Sequence, residues 1–555
     1  MYKREKRDWK GPAGMFLLLF LLVMVRYCAF GLRYYPQLDD YIQYHNYTRL
    51  YDFSTLQELT GILSSRPLAG IADYFFWSPM FGHMILGVAL ISALYAAAVL
   101  LIWDILGRYF RTSPVLPVVM ALLPLGIEGT YWMSASTRVV TGMFFAALAV
   151  RAFLNWLDGK GRGWLVLYLI FQMLPFGFYE QAGLLSVTMT AGAAILERTG
   201  KGKPWGRCAA ALWSAPAMGL YFLTTRLLDN GGVYGSRAEM ILPVSRYYWD
   251  TVFPEIMGQL RDAFLKGGFF TAAKGFVRGA RMVLSGELLL WAAGTAALCV
   301  LLGLLARRKE PEEGGDAPLW LALLSGLLLA AAPMSLFLVL KDPWFSLRGT
   351  VTSFPGIALL ADSLLVRLWD RLALRRGGLS VLAAAAAFVF CLAGASEIRD
   401  YRDTYENDQR IARLVLEAEE EPSAGRIGVL NLEPSYLPNQ NFYYHEHIHG
   451  CTESGWAFHG LLTALGGEVE AAPLPADPLY RAWNREANHP SGFQTLYWFD
   501  GESLTPAVLR ELAENTYQVR NRQGGLLGVI WEEDGIGYIR RPEQLAPGQS
   551  FLLED

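Results

Sequence analysis

"MFLLLFLLVMVRYCAF", Met15 to Phe30, is the first very apolar run of the chain, and its reading decides the fold class. A helix of roughly 20 mostly apolar residues crosses a hydrocarbon core about 30 Å thick. The run follows MYKREKRDWK, as the apolar part of a signal peptide would. The residues after it, GLRYYPQ, offer no small-residue cleavage site, so it reads as a retained span. Apolar runs recur as far as Ser396. Of the 555 residues 53% are hydrophobic and only 18% are charged. A soluble protein would hold about a quarter charged residues, so the chain reads as a polytopic membrane protein. The net charge is −3 and no basic patch points to nucleic acid. Five scattered cysteines supply neither a disulfide framework nor a paired-cysteine metal site.

Eleven candidate spans follow from the apolar runs: about 13–31, 79–103, 114–129, 137–154, 163–178, 181–197, 208–228, 286–306, 318–340, 349–367 and 378–396. With the N-terminus in the cytoplasm, the inside segments are KREKR, GRYFR, DGKGRGW, ERTGKGKPWGR, ARRKEPEE and RLWDRLALRRGG, and every one is basic. An odd count puts the tail outside. The expectation is therefore an α-helical membrane domain over 1–398, N-in and C-out, with an extracytoplasmic α/β domain over 399–555. Outer loops are expected at 32–78 and 229–285. The second, with Phe264, Phe269, Phe270 and Phe276 among Lys266, Lys274, Arg278 and Arg281, has the pattern of an amphipathic helix at the membrane surface.

This topology gathers unusual polar residues on one side. Asp39, Asp40, His45, Arg66 and Asp73 lie in the first outer loop. Glu128 and Arg138 flank the second, Glu180 sits in GFYEQAG, and Lys341 and Arg348 lie in KDPWFSLRG. Ionisable groups near membrane depth are costly unless they face a cavity or a partner. Each also has a plain alternative: a helix cap for the aspartates, a packing pair for Glu180, a turn before Pro67 for Arg66, snorkelling for Arg138 and Arg348.

A basic N-terminus, one span and an outer loop with an early acidic pair resemble the GT-C fold of membrane glycosyltransferases. LDDYIQYHNYTRLYDFSTLQELTGILSSRPLAG, Leu38 to Gly70, resembles more narrowly the bacterial membrane glucosyltransferases that decorate surface polysaccharides. In those an Asp-Asp near the first span is followed by an Arg-Pro-Leu-like turn, here Asp39-Asp40 and Arg66-Pro67-Leu68. The resemblance covers residues 1–230, and the tail matches no family pattern. It implies a polyprenyl-phosphate sugar as donor and a glycan, lipid or protein as acceptor outside the cytoplasm. It also implies an acidic base in the first outer loop and inversion at the sugar carbon.

The residue chemistry agrees independently. A hydroxyl acceptor loses a proton as it attacks, and a carboxylate is the natural base. On a helix adjacent aspartates point about 100° apart. One can face the acceptor while the other orients a neighbour or holds a divalent cation such as Mg2+ or Mn2+ by oxygen. Asp40 is taken as base ahead of Asp39. Arginine suits the departing phosphate because its fork binds phosphate oxygens bidentately. Arg66, Arg138 and Arg348 are the candidates, followed by Lys341, with Glu180, Glu128 and His45 lining the substrate.

In the tail, GRIGVLNLEPSYLP from Gly425 reads as a buried strand and turn, and GGLLGVIWEED with GIGYIRRPEQL as a terminal hairpin. AVLRELAENTYQVR from Ala507 has helical spacing. His445, His447 and His449 alternate, so on a strand they would share a face. That could bind zinc or another transition metal, but a plain structural strand, or one that covers the membrane site or holds an acceptor glycan, is the preferred reading. Two other functions fit the outer-facing charges: an oligosaccharide polymerase or ligase, and a non-enzymatic flippase or transporter of lipid-linked glycan. A flippase would place charges at midplane in broken helices, with repeated halves.

Overall fold

The computed structural model describes residues 10–47, 52–229, 239–308, 315, 317–341, 343–373, 377–418, 426–432, 450–467, 469–475, 489–533 and 536–553. The chain divides into two compact units. One comprises Met1–Tyr34 and Tyr51–Arg399, the other Tyr35–Leu50 and Asp400–Asp555.

The first unit is helical. In chain order it contains α1 (Lys10–Tyr27), α2 (Met84–Gly107), α3 (Val115–Leu122), α4 (Met133–Leu157), α5 (Arg162–Phe178), α6 (Glu180–Lys201) and α7 (Ser214–Leu228). These are followed by α8 (Gly275–Leu284), α9 (Leu289–Arg308), α10 (Leu319–Ala331), α11 (Phe354–Arg371) and α12 (Gly377–Ala418), the last reaching into the second unit. Buried α4 packs on α2, α5 and α6.

Among the described residues six helical runs are long and apolar enough to cross a membrane: Pro67–Gly107, Met133–Leu157, Leu289–Arg307, Leu319–Val339, Leu347–Arg371 and Gly377–Ala418. Pro12–Tyr27 and Arg162–Phe178 are apolar but shorter. The chain is thus a helical membrane protein with a C-terminal domain, and the expected eleven spans are not what the structure contains. The reasons are local. The run at 114–129 is only the eight-residue α3, ended at Leu123 by extended backbone and Pro124. The run at 208–228 is interrupted by the 3-10 turn Ala209–Trp213. The run at 181–197 forms α6 at full length but carries Ser186, Thr188 and Thr190.

Both ends of α3 are held by charged side chains from other helices. At its start the Ser113 N–H donates to Asp362 of α11 (2.8 Å). At its end Arg26 of α1, itself buried, donates to the Leu122 carbonyl (3.1 Å) and to the Tyr27 hydroxyl (2.9 Å). Tyr27 passes its proton donation on to Thr130 (2.6 Å), which donates to the Gly126 carbonyl (2.8 Å). The acid lies at the helix N-terminus and the base at its C-terminus, so each sign complements the helix dipole.

The loop 229–285 is expected to hold an interfacial amphipathic helix, and within it residues 248–284 are helical with an unusual winding. Tyr248–Val252, Asp262–Gly267 and Phe269–Lys274 form π-turns, separated and followed by the α-helical Phe253–Arg261 and α8. The buried positions explain this. Ala263, Gly267, Thr271, Gly275 and Gly279 recur every fourth residue. In an α-helix such a stripe drifts about 40° per step, and the wider π-turns remove that drift. The small face permits close approach: a Cβ on Gly279 would fall 2.1 Å from the Leu392 carbonyl oxygen of α12.

The second unit holds a seven-stranded sheet: β1 (Arg426–Leu432), β2 (Glu470–Pro475), β3 (Thr495–Phe499), β4 (Leu504–Ala513), β5 (Thr516–Asn521), β6 (Leu526–Glu533) and β7 (Ile536–Arg540). The order is β2-β1-β3-β4-β5-β6-β7, with β1 parallel to β2 and β3 and all later pairs antiparallel. Helix α13 (Gly455–Ala464) lies in the crossover from β1 to β2 and packs on β2. Leu430, Phe493, Leu496, Trp498, Val519, Ile530 and Ile539 form the core on one sheet face. The β1 strand and the β6–β7 hairpin lie where the sequence predicts them. The helix expected from Ala507 is instead the β4–β5 hairpin, turning at Asn515 with φ +56°. Tyr517 and Val519 alternate into the core, and burial on a sheet outweighs helical propensity there.

Replacing Arg26 by Met leaves the Leu122 carbonyl without its donor and is expected to cost roughly 1–3 kcal/mol. Gly279→Val is expected to lower the melting temperature in detergent, whereas Ala273→Leu on the exposed face is not. Equal melting temperatures for these two variants would contradict the close packing.

Candidate functional site

In the first unit the candidate residues assemble around the start of α6. Arg66 immediately precedes Pro67, which bars it from helical backbone, and its φ of −142° and ψ of 69° interrupt the helix there. Its guanidinium forks onto Glu180, with Nε donating to Oε2 at 2.9 Å and Nη2 to Oε1 at 2.8 Å. It also lies 4.7 Å over the Tyr179 ring. Tyr221 of α7 donates to the carbonyl of Ser65 (3.0 Å) and stacks on Phe176 at 5.5 Å, closing the side of this pair.

A second pair adjoins it. Arg138, in the second turn of α4, donates to Asp73 at 2.7 Å, and both side chains are almost fully buried. Arg138 is close enough to act electrostatically on both Arg66 and Glu180. The next residue of α6, Gln181, accepts from the Thr352 hydroxyl (3.2 Å), linking the group to the 3-10 turn Leu347–Ser353. On that turn the Arg348 N–H donates to Glu128 (3.3 Å), and the Arg348 guanidinium lies 5.5 Å over the Trp132 ring. The approach is tight: a Cβ on Gly129 would fall 2.6 Å from the Arg348 carbonyl oxygen.

Five predicted residues, Arg66, Arg138, Glu180, Glu128 and Arg348, are therefore joined by contacts within one unit. Lys341 is elsewhere, in an exposed ion pair with Glu239 at 2.9 Å. The sequence reading placed Asp73 in the first outer loop without giving it a role, and it passed over Tyr179, Gln181 and Tyr221. The string FYEQ, with aromatic, acid and amide adjacent between apolar runs, was the available signal for two of these.

The acidic pair belongs to the second unit, because Tyr35–Leu50 packs with the C-terminal residues. Asp40 is fully buried. One of its oxygens accepts from the Gln37 N–H at 2.9 Å, which ties it to the residues that precede the helical turn Tyr41–Asn46. Asp39 is partly exposed. Gln37 in turn donates to the Tyr401 carbonyl at 2.7 Å. His45 contacts Asn46 (3.4 Å), whose amide donates to the Trp456 carbonyl at 2.8 Å, and Tyr47 packs on Trp456 at 5.6 Å.

A third carboxylate joins this region from a distant stretch of sequence. Asp408, buried, accepts from the Cys451 N–H at 2.9 Å. Burial, aided by the charges of Asp408 and Asp40, pushes the Cys451 thiol well above the usual thiol range. Burial likewise pushes Tyr41 well up, with Cys451, Tyr405 and Asp408 adding to it, while Gln409 donates to its hydroxyl at 3.3 Å. Among the described residues no group of three His, Cys, Asp or Glu side chains is placed to hold a metal ion. His445, His447 and His449 lie outside the described residues.

The thiol and phenol shifts give a pH dependence. Both groups fold in their neutral form with raised pKa values, so their contribution is complete below the unfolded thiol pKa of about 8.5 and is lost as pH rises beyond it. Stability of the second unit is expected to fall between about pH 8.5 and 11, and less steeply in Cys451→Ala, as read from urea midpoints across that range.

Comparison with protein-family models, with curated proteins and with solved structures gives no match to this chain.

Proposed function

We propose that the chain is an integral membrane glycosyltransferase of the GT-C type. It moves a sugar from a polyprenyl-phosphate donor to a glycan, lipid or protein acceptor on the extracytoplasmic side, with inversion. The observation that carries this reading is the buried pair Asp73–Arg138 beside the half-buried pair Arg66–Glu180, with Gln181 bonded to Thr352 on the turn whose Arg348 N–H meets Glu128, among apolar helices. Charge kept in such surroundings is expensive, which is why intramembrane ionisable groups mark substrate sites. Forked guanidinium groups suit the phosphate of a lipid-linked sugar.

In the proposed reaction the acceptor hydroxyl attacks the anomeric carbon and its proton passes to a carboxylate. The bond from that carbon to the phosphate oxygen breaks, and polyprenyl phosphate leaves with the electron pair. Arginines offset the negative charge that develops on it. The family resemblance assigns the role of base to Asp40 or Asp39, of which Asp40 is buried and Asp39 partly exposed. The N-terminus is proposed to lie in the cytoplasm, from the basic residues that precede the first apolar run, and the C-terminal domain outside the cell membrane, where the acceptor would be met.

The test is transfer of radiolabelled sugar from polyprenyl-phosphate donors in membranes holding wild type, Asp39→Asn, Asp40→Asn or Arg66→Lys. Loss of the base is expected to lower the rate about 10²-fold or more at unchanged expression. Arg66→Lys keeps the charge but loses the fork, and is expected to raise KM for the donor. A wild type that transfers from no donor while lipid-linked glycan still crosses the membrane would replace the transferase reading by that of a flippase.

A further inference from the structure

The helical segment that docks by its small residues presents a different face outward. Leu265, Phe269, Val277 and Leu284 are exposed along it, with Leu265 at 69% and Leu284 at 86%. Lys266, Lys274, Arg278 and Arg281 are exposed on the same side. Between Arg261 and Leu284 there are five cations and one acid, Asp262, which pairs with Lys266 at 2.9 Å. The Lys274 ammonium lies 3.8 Å from the centre of the Phe270 ring, so its stem follows the apolar surface.

We propose that this outward face binds the headgroups of anionic phospholipids, lying in the membrane surface with its apolar residues at the acyl boundary. Three observations select this occupant. The charge is predominantly positive, five cations to one acid, complementary to phosphate-rich headgroups. The exposed apolar side chains are interleaved with the cations, and the headgroup zone accepts both, whereas a water-soluble polyanion would leave Leu265, Phe269 and Leu284 in water. The stripe also ends at Leu284, and the apolar span α9 begins at Leu289, so its end lies where the chain enters the hydrocarbon. The inward stripe on α12 fixes which face points out.

The full-length protein in detergent, supplied with equal amounts of phosphatidylglycerol and phosphatidylcholine, tests this by native mass spectrometry of retained lipid. Wild type is expected to retain phosphatidylglycerol preferentially. The combined Lys266→Gln, Lys274→Gln, Arg278→Gln and Arg281→Gln variant is expected to lose that preference by roughly ten-fold or more. The milder pair Lys266→Gln with Arg281→Gln, with an unchanged gel-filtration profile, is expected to fall between and decides the matter if the fourfold variant does not fold. Equal retention of the two lipids by wild type overturns the proposal, as does a preference that survives in both variants. Heparin binding through these cations without any lipid preference would assign them to a soluble polyanion and overturn it as well.

Discussion

An apolar helical bundle has no solvent to satisfy a broken backbone, and that constraint organises the first unit. Helix α3 stops after eight residues, and its freed carbonyl at Leu122 is met by the guanidinium of Arg26. Ahead of its start, the Ser113 N–H and hydroxyl are met by Asp362, and the Val115 N–H by the Ser113 hydroxyl. A cation at the C-terminal end and an acid at the N-terminal end let a short helix stand among spans, because each meets both a hydrogen-bonding need and the end of a dipole. The same two side chains tie α1 and α11 to α3, so a local interruption becomes a tertiary joint.

The candidate site follows the same rule. Arg66 and Arg138 each hold a carboxylate, and the two pairs sit together where a single unpaired charge would be prohibitive. A site of this kind is ordered before a substrate arrives. Its guanidinium planes are set by ring stacking and forked bonds, so a phosphate ligand would meet groups already oriented rather than flexible ones. The aspartates of the early pair differ in burial: Asp40 is fully buried and accepts from the Gln37 N–H, and Asp39 is partly exposed.

Several features were legible in the residues alone. The apolar runs, the buried strand of β1 and the β6–β7 hairpin follow from hydrophobic pattern, which a chain carries locally. The functional candidates were legible as a set, since ionisable groups bordering apolar runs are conspicuous. Other features were not. The run at Ala507 satisfies helical and strand spacing together, and only the neighbouring strands β3 and β6 choose between them. The four-residue stripe from Ala263 to Gly279 is visible in the sequence once sought, yet phenylalanines and lysines on the other face draw attention first.

Membrane character and the sign asymmetry between segments came from the sequence by itself, because transfer of side chains out of water depends on composition and length. The pairing of Arg66 with Glu180, of Arg138 with Asp73 and of Asp408 with Cys451 came only with the tertiary structure. So did the membership of Tyr35–Leu50 in the C-terminal unit. Such pairings join residues separated by about 40 to more than 350 positions, and which partners meet is decided by how whole elements pack, a balance no local stretch encodes.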